Sequence, residues 1–270
     1  MSKIVCLLAG AVLSLCCRAQ TECVPLMPCY SADTVINIAS GAAGALAPNT
    51  LVALYGTNLS FDPPRAVTAA DISAGLLPTA LPGVGVQVLV NNVYPAQLYL
   101  VSPGQINFLL PSITNVGEVT ILMFRDGAYG PALKVQLAAA APALFRLEPG
   151  VALVSRFDYS LVTPAAPAKP GEWVILWATG MGAVTPPLPF PYGMLPTKPA
   201  WIQHPEQFNV LLDGVAVASD RIAYAGLAVG YAGLYQVNLK LPLDTPGDPE
   251  IRLSMGDAAS PGGVRLAVAP

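Results

Sequence analysis

The sequence predicts an all-β protein built as two tandem β-sandwiches, and three observations carry that reading. Breakers are frequent: 28 Pro and 24 Gly in 270 residues. They cut an apolar chain into segments of strand length and leave little room for long helices. Charge is sparse, with 11% of residues charged and 54% hydrophobic, against about 25% charged in an ordinary soluble domain. Such a composition excludes intrinsic disorder, which needs low hydrophobicity and high net charge. The third observation is that the chain states one pattern twice.

The strand-like run LVALYGTNL (51–59) lies over WVILWATGM (173–181) at an offset of 122. At the same offset VNNVYPA (90–96) lies over LDGVAVA (212–218), which superposes the turn dipeptides Asn91-Asn92 and Asp213-Gly214. Both pairs tolerate the positive φ of a tight hairpin. Further on, GQINFLLP (104–111) matches YQVNLKLP (235–242), so that Gln105 meets Gln236 and Asn107 meets Asn238 at an offset of 131. The nine extra residues of the second copy are assigned to AYAGLAVGYAGLY (223–235). GPALKVQL (130–137) and SPGGVRLAV (260–268) close the two copies.

Each copy reads as strand, long loop, hairpin, strand ending at Pro, hairpin, strand. Alternation puts Val84, Val86, Val88 and Val90 on one face and assigns Leu98 and Leu100 to a shared face of the next strand. Asp126-Gly127 marks another hairpin. Short strands at this spacing suit a sandwich of immunoglobulin-like type in the loose sense, without the Cys–Trp–Cys signature of antibody domains. The predicted division is a leader (1–19), an N-terminal segment (20–34), a first sandwich (35–140) and a second (141–270). AAAAPALF (138–145) is the hinge, and proteases are expected to nick at 138–150 or in the loops 60–82 and 185–205, leaving resistant halves.

The first residues, MSKIVCLLAGAVLSLCCRAQ, have the layout of a secretory signal peptide with cleavage after Ala19. Acylation at Cys16 or Cys17 is disfavoured by Leu15 and Cys16 before them. Of five cysteines, Cys23 and Cys29 remain in the mature chain, and in an oxidising compartment they are expected to form a disulfide across CVPLMPC. Loss of Lys3 and Arg18 with the leader takes the basic count from 13 to 11 against 16 acids, a net charge of −5. No basic stripe remains for nucleic acid, and no later apolar run is long enough to span a membrane.

Motifs for chemistry are few. There is no G-x-S-x-G elbow and no H-E-x-x-H. The single histidine, His204, sits beside Pro in a predicted loop. Most acids adjoin turn formers, as Asp126, Asp213 and Asp257 do beside Gly. DTPGDPE (244–250) reads as a turn rather than a calcium loop. GMGAVT (180–185) lacks the third glycine of a nucleotide-binding loop. No catalytic residue, metal site or cofactor is assigned.

The candidate partner surface has two parts. On WVILWATG, Trp173, Ile175 and Trp177 share the face opposite Val174 and Leu176, and Trp201 lies in the segment that follows. The insertion adds Tyr224, Leu227, Val229 and Tyr231, uncharged and either tucked against the sandwich or open to a partner.

INIASGAAGALAPNTLVALYGTNLS (36–60), YLVSPGQINFLLP (99–111), AAAPALF (139–145), PAKPGEWVILWATGMGAVTPP (167–187) and AGLAVGYAGLYQVNLKLP (225–242) together resemble a secreted acidobacterial (Solibacter-type) family defined by an uncharacterised C-terminal domain. LVALYGTNLS also resembles the start of IPT/TIG immunoglobulin-like domains. The resemblance implies an extracellular β-sandwich protein and no particular activity. The sequence thus points to a secreted, non-enzymatic module at the cell surface, working by binding or by structural presentation, with a surface protein or polysaccharide as partner. Carbohydrate binding, and hydrolysis of polysaccharide by dispersed carboxylates, are the alternatives.

Overall fold

The computed structural model describes residues 23–112, 116–188 and 192–270. The leader predicted over 1–19 lies outside them. The protein is all-β, in two immunoglobulin-like sandwiches.

In unit 1 the strands are β1 (Val35–Asn37), β2 (Leu51–Tyr55), β3 (Val86–Val90), β4 (Gln97–Val101), β5 (Gln105–Leu109), β6 (Gly117–Arg125) and β7 (Leu133–Leu137). One antiparallel sheet runs β1-β2-β5-β4 and the other places β6 between β3 and β7. Their inner faces meet in a core containing Val52, Leu54, Ile106 and Phe108 from the first sheet and Val86, Val88, Ile121 and Met123 from the second. Val84 to Val90 alternate as predicted, every second residue buried.

Unit 2 repeats the plan with β8 (Ala143–Leu144), β9 (Val154–Ser155), β10 (Trp173–Thr179), β11 (Ala200–Ile202), β12 (Phe208–Leu212), β13 (Ile222–Leu227), β14 (Tyr235–Lys240) and β15 (Ile251–Met255). Its larger sheet runs β9-β10-β14-β13-β11, with β8 also on β10, and β12 pairs β15 opposite. The register is the same in both units. Tyr55 faces Gln105 across β2 and β5, and Trp177 faces Gln236 across β10 and β14. Asn91, Asn92, Asp126, Gly127, Asp213 and Gly214 all take positive φ, as their turn chemistry requires.

Two expectations are corrected. Leu98 faces Phe108 while Leu100 faces Asn107, so Tyr99 is an extra residue in a β-bulge. A bulge reverses the alternation: Leu98 is buried in the core and Leu100, half-exposed, lies on the outer face. The same bulge recurs in unit 2, where Ile222 faces Leu239 and Tyr224 faces Asn238. The offset is therefore 124 between β4 and β13 and 131 between β5 and β14. Seven of the nine extra residues follow β13, and the others precede it, around the turn Ser219–Arg221.

The units are closely joined. Thr179 Oγ1 accepts the Leu51 N–H at 3.0 Å and donates to the Gly233 carbonyl at 2.8 Å. The loop after β13 and residues 193–195 of the Pro-rich loop after β10 lie on the outer face of the unit 1 sheet. There Leu77, Leu109 and Ala232 form a small separate core, flanked by Leu51, Tyr99 and Leu195. Tyr99 donates to the Ala232 carbonyl at 2.6 Å, and Tyr192 packs edge-on against Tyr94. The hinge is strand-paired rather than free: Ala143 and Leu144 face Thr179 and Ala178. A Cβ on Gly180 or Gly182 would come 2.2 Å from the Ala141 or Ala139 carbonyl oxygen, so the glycines of GMG let the hinge backbone approach.

Cys23 and Cys29 are disulfide-bonded, and the segment carrying them is bound into unit 1. Cys29 and Thr57 exchange backbone hydrogen bonds. Tyr30 enters the core, where its hydroxyl accepts the Met123 N–H at 2.8 Å.

Candidate functional site

Residues paired across an antiparallel sheet point to the same side, so the register lays out the outer face of unit 2. One row holds Trp177, Gln236, Gly226 and Trp201, on β10, β14, β13 and β11. The next holds Ile175, Asn238 and Tyr224. At the far end Trp173 faces Lys240. Strands spaced about 4.8 Å apart put Trp177 and Trp201 roughly 14 Å from each other across the sheet.

Trp201 is 46% exposed. Tyr224 packs against it edge-on, ring centres 4.7 Å apart. The Tyr224 hydroxyl donates to the Leu227 carbonyl at 2.6 Å, and burial raises its pKa. The ring lies over Gly226, since a Cβ there would sit 2.6 Å from the Tyr224 hydroxyl and 2.2 Å from the Ala200 carbonyl oxygen. Trp177 is half-buried and its indole N–H donates to Ser155 Oγ at 3.1 Å. Trp173, also half-buried, packs edge-on against Phe157, with the Lys240 ammonium 5.9 Å from its ring centre.

Between the aromatic groups lies a pair of amides. Gln236 Nε2 donates to Asn238 Oδ1 at 2.7 Å. Gln236 Oε1 and Asn238 Nδ2 have no partner among the described residues, and both side chains are half-exposed. The face thus offers an open acceptor, an open donor and flanking rings.

The predicted surface residues do not all join this face. Trp173, Trp177, Trp201 and Tyr224 do. Leu227 is completely buried in the unit 2 core, because alternation turns it inward from Gly226. Val229 and Tyr231 are exposed on the loop between β13 and β14, while Ala232 of that loop packs on unit 1. In the sequence Gln236 and Asn238 are marked only by their repetition at Gln105 and Asn107, which signals a repeated strand and not a binding role.

A cleft of about 630 Å³ between the units is lined in part by Met181, Gln203, His204, Gln207, Met255 and Asp257. His204 Nδ1 lies 3.1 Å from Glu206, both exposed. Its neighbour is a carboxylate rather than a nucleophile. Two of the three acids of DTPGDPE serve the backbone: Asp248 accepts the Val268 N–H and Glu250 the Gly263 N–H. Asp71, Asp158 and Glu206 are held below the usual carboxylate range by hydrogen bonds, backbone donors foremost for Asp71 and Glu206 and the Ser160 hydroxyl for Asp158. A general acid needs the opposite shift. Among the described residues no cluster of three or more His, Cys, Asp or Glu is placed to hold a metal ion, and no helix is long and apolar enough to cross a membrane.

No protein-family model and no curated protein matches the sequence. Among solved structures the chain is similar to the SGBP-B protein of the Bacteroides ovatus mixed-linkage glucan utilization locus, solved with a mixed-linkage heptasaccharide. Identity is 10% and the TM-score 0.36, over 91% of this chain and 47% of that one. A surface glycan-binding protein of Prevotella bryantii gives 13% identity and a TM-score of 0.26, over 84% of this chain and 39% of that one. The I9–I11 tandem of titin gives 11% and 0.23, over 90% and 66%. The chain spans about half or less of the two glycan-binding proteins. These likenesses concern fold class alone.

Proposed function

We propose that the protein is a secreted, non-catalytic binding module that takes a neutral polysaccharide on the outer sheet face of unit 2. The observation that carries this reading is the hydrogen-bonded Gln236–Asn238 pair, with one acceptor and one donor open, in register with the exposed Trp201 and the half-buried Tyr224 packed against it. A sugar ring presents apolar C–H faces and an equatorial rim of hydroxyls, each both donor and acceptor. Flat aromatic rings suit the first, and a fixed carbonyl and amide suit the second. Binding faces concentrate their affinity in Trp and Tyr with a few placed polar groups. The leader pattern and the Cys23–Cys29 disulfide support export to an oxidising compartment, as does the resemblance to a secreted family.

The test is titration calorimetry of residues 20–270 against a panel of neutral β-linked polysaccharides, with Trp201→Ala and Gln236→Ala beside the native sequence. Binding is expected for at least one polysaccharide. Trp201→Ala should weaken it tenfold or more, equivalent to about 1.4 kcal/mol, with the melting temperature nearly unchanged because the ring is exposed. Failure to bind any member, or indifference to both substitutions, overturns the reading.

A further inference from the structure

We infer that unit 1 carries a second subsite for the same polysaccharide, formed by Tyr55, Gln105 and Asn107, so that both units hold one glycan chain. The inference rests on the reading of the unit 2 face. Four features of unit 1 bear on it.

The register is the same. Tyr55 faces Gln105 across β2 and β5 as Trp177 faces Gln236 across β10 and β14, so an aromatic ring stands beside the glutamine in each unit. The amide pair is the same as well. Gln105 Nε2 donates to Asn107 Oδ1 at 2.8 Å, against 2.7 Å for Gln236 and Asn238. Gln105 Oε1 and Asn107 Nδ2 again have no partner among the described residues.

The bulge is the third feature. Tyr99 and Ala223 are the extra residues, opposite Asn107 and Asn238. Each bulge fixes which residue of the neighbouring strand flanks the asparagine on the outer face; it is Tyr224 in unit 2 and Leu100 in unit 1, so unit 1 offers the amide pair and Tyr55 without a second ring. Access is the fourth. The outer face of unit 1 is covered nearest the junction, at Leu51 and Leu109. The cover stops before Tyr55, which is 41% exposed, and Gln105 and Asn107 are half-exposed.

The two subsites lie on either side of one junction. β10 ends at Thr179, whose hydroxyl binds the N–H of Leu51 at the start of β2. Two residues separate Trp177 from the junction and four separate it from Tyr55. At about 3.3 Å per residue the backbone path between the two positions is roughly 25 Å or less; the cover at Leu51 and Leu109 lies on that path, so a bound chain has to pass over it, which calls for an oligosaccharide longer than the backbone path. The second contact is then intramolecular, and joining two sites in this way raises affinity by about 10²–10⁴ without any new kind of contact.

The experiment compares cello-, xylo- and manno-oligosaccharides from disaccharide to octasaccharide with the native chain, Tyr55→Ala, Tyr55→Phe, Gln105→Ala and Trp201→Ala. Native affinity is expected to rise more than tenfold once the chain is long enough to span both faces. Tyr55→Ala and Gln105→Ala should remove that rise and leave short-chain affinity unchanged, and Tyr55→Phe should retain it. Trp201→Ala should weaken every length. Affinity independent of length, or a length dependence untouched by Tyr55→Ala and Gln105→Ala while Trp201→Ala abolishes binding, overturns the second subsite and leaves the unit 2 face standing. No binding by the native chain at any length overturns the unit 2 reading, and the second subsite with it.

Discussion

Tyr30 joins the N-terminal segment to the core by its ring and its hydroxyl, and its surroundings set a pH dependence. Burial, partly offset by the hydrogen bond from Met123, pushes its phenol up to about 12. Burial also raises Tyr99 and Tyr235. A phenol whose folded pKa lies above its unfolded value leaves stability intact below about pH 10 and erodes it as pH rises toward the folded value. Denaturant midpoints are therefore expected to be flat from neutral pH to about 10 and to fall from there to about 12. Tyr30→Phe should reduce that slope while lowering stability at pH 7 by about 1–2 kcal/mol, since the Met123 N–H loses its acceptor. An unchanged slope would show that Tyr30 titrates as a free phenol. Arg125 holds the same segment from the other side. Its guanidinium is buried over the Phe61 ring and donates to the Leu26 and Asn58 carbonyls. The disulfide was legible from the spacing and compartment of two cysteines. The roles of Tyr30 and Arg125 were not, because their partners lie 93 and 99 residues away and nothing local marks them.

Strands and hairpins were the most legible elements, because turn dipeptides and alternating valines are local signals. Asp213-Gly214 shows why: the turn needs two positive-φ residues, and few residue types supply them. The bulges were invisible, since nothing in AQLYLVS announces an extra residue, and one unseen residue turned Leu100 to the wrong face. The binding face was half legible. The tryptophans attracted notice by type, whereas Gln236 and Asn238 acquire a role only when the register sets them beside rings from three other strands. Gly226 tests this arrangement. Gly226→Ala places a Cβ against the Ala200 carbonyl and the Tyr224 hydroxyl, and backbone cannot yield as a side chain can. The expected outcome is a loss of about 1–3 kcal/mol and a shift in tryptophan emission as β11 carries Trp201 away from Tyr224. Unaltered stability and emission would mean that Tyr224 does not lie over Gly226.

The sequence reading expected two halves separable at the hinge. The structure sets β8 of that hinge against β10 and adds an apolar cluster of its own between the units, so one cooperative unfolding transition is expected, with equal calorimetric and van't Hoff enthalpies. Thr179→Val tests this at the junction. Valine keeps the shape and removes the hydroxyl, leaving the Leu51 N–H and the Gly233 carbonyl without their partner, at a cost of about 2–4 kcal/mol. The variant should melt at lower temperature and in two steps. A single step at the native temperature would show that the hydroxyl contributes nothing to the union. The uncharged insertion reads as a loop packed against its own sandwich sooner than as an open one, but nothing local says that it packs on the other unit.

The cover over Leu51 and Leu109 also dictates an order of events during synthesis. Those residues are made early, yet Leu195 and Ala232, which shield them, leave the ribosome more than eighty residues later. Through that interval the first half covers the patch they form only in part, with Leu77 and its neighbours from its own loop, and partly exposed apolar surface is what makes nascent chains stick to one another. A holding chaperone is needed most within that interval, and a chain truncated anywhere before the insertion keeps the patch for its whole lifetime.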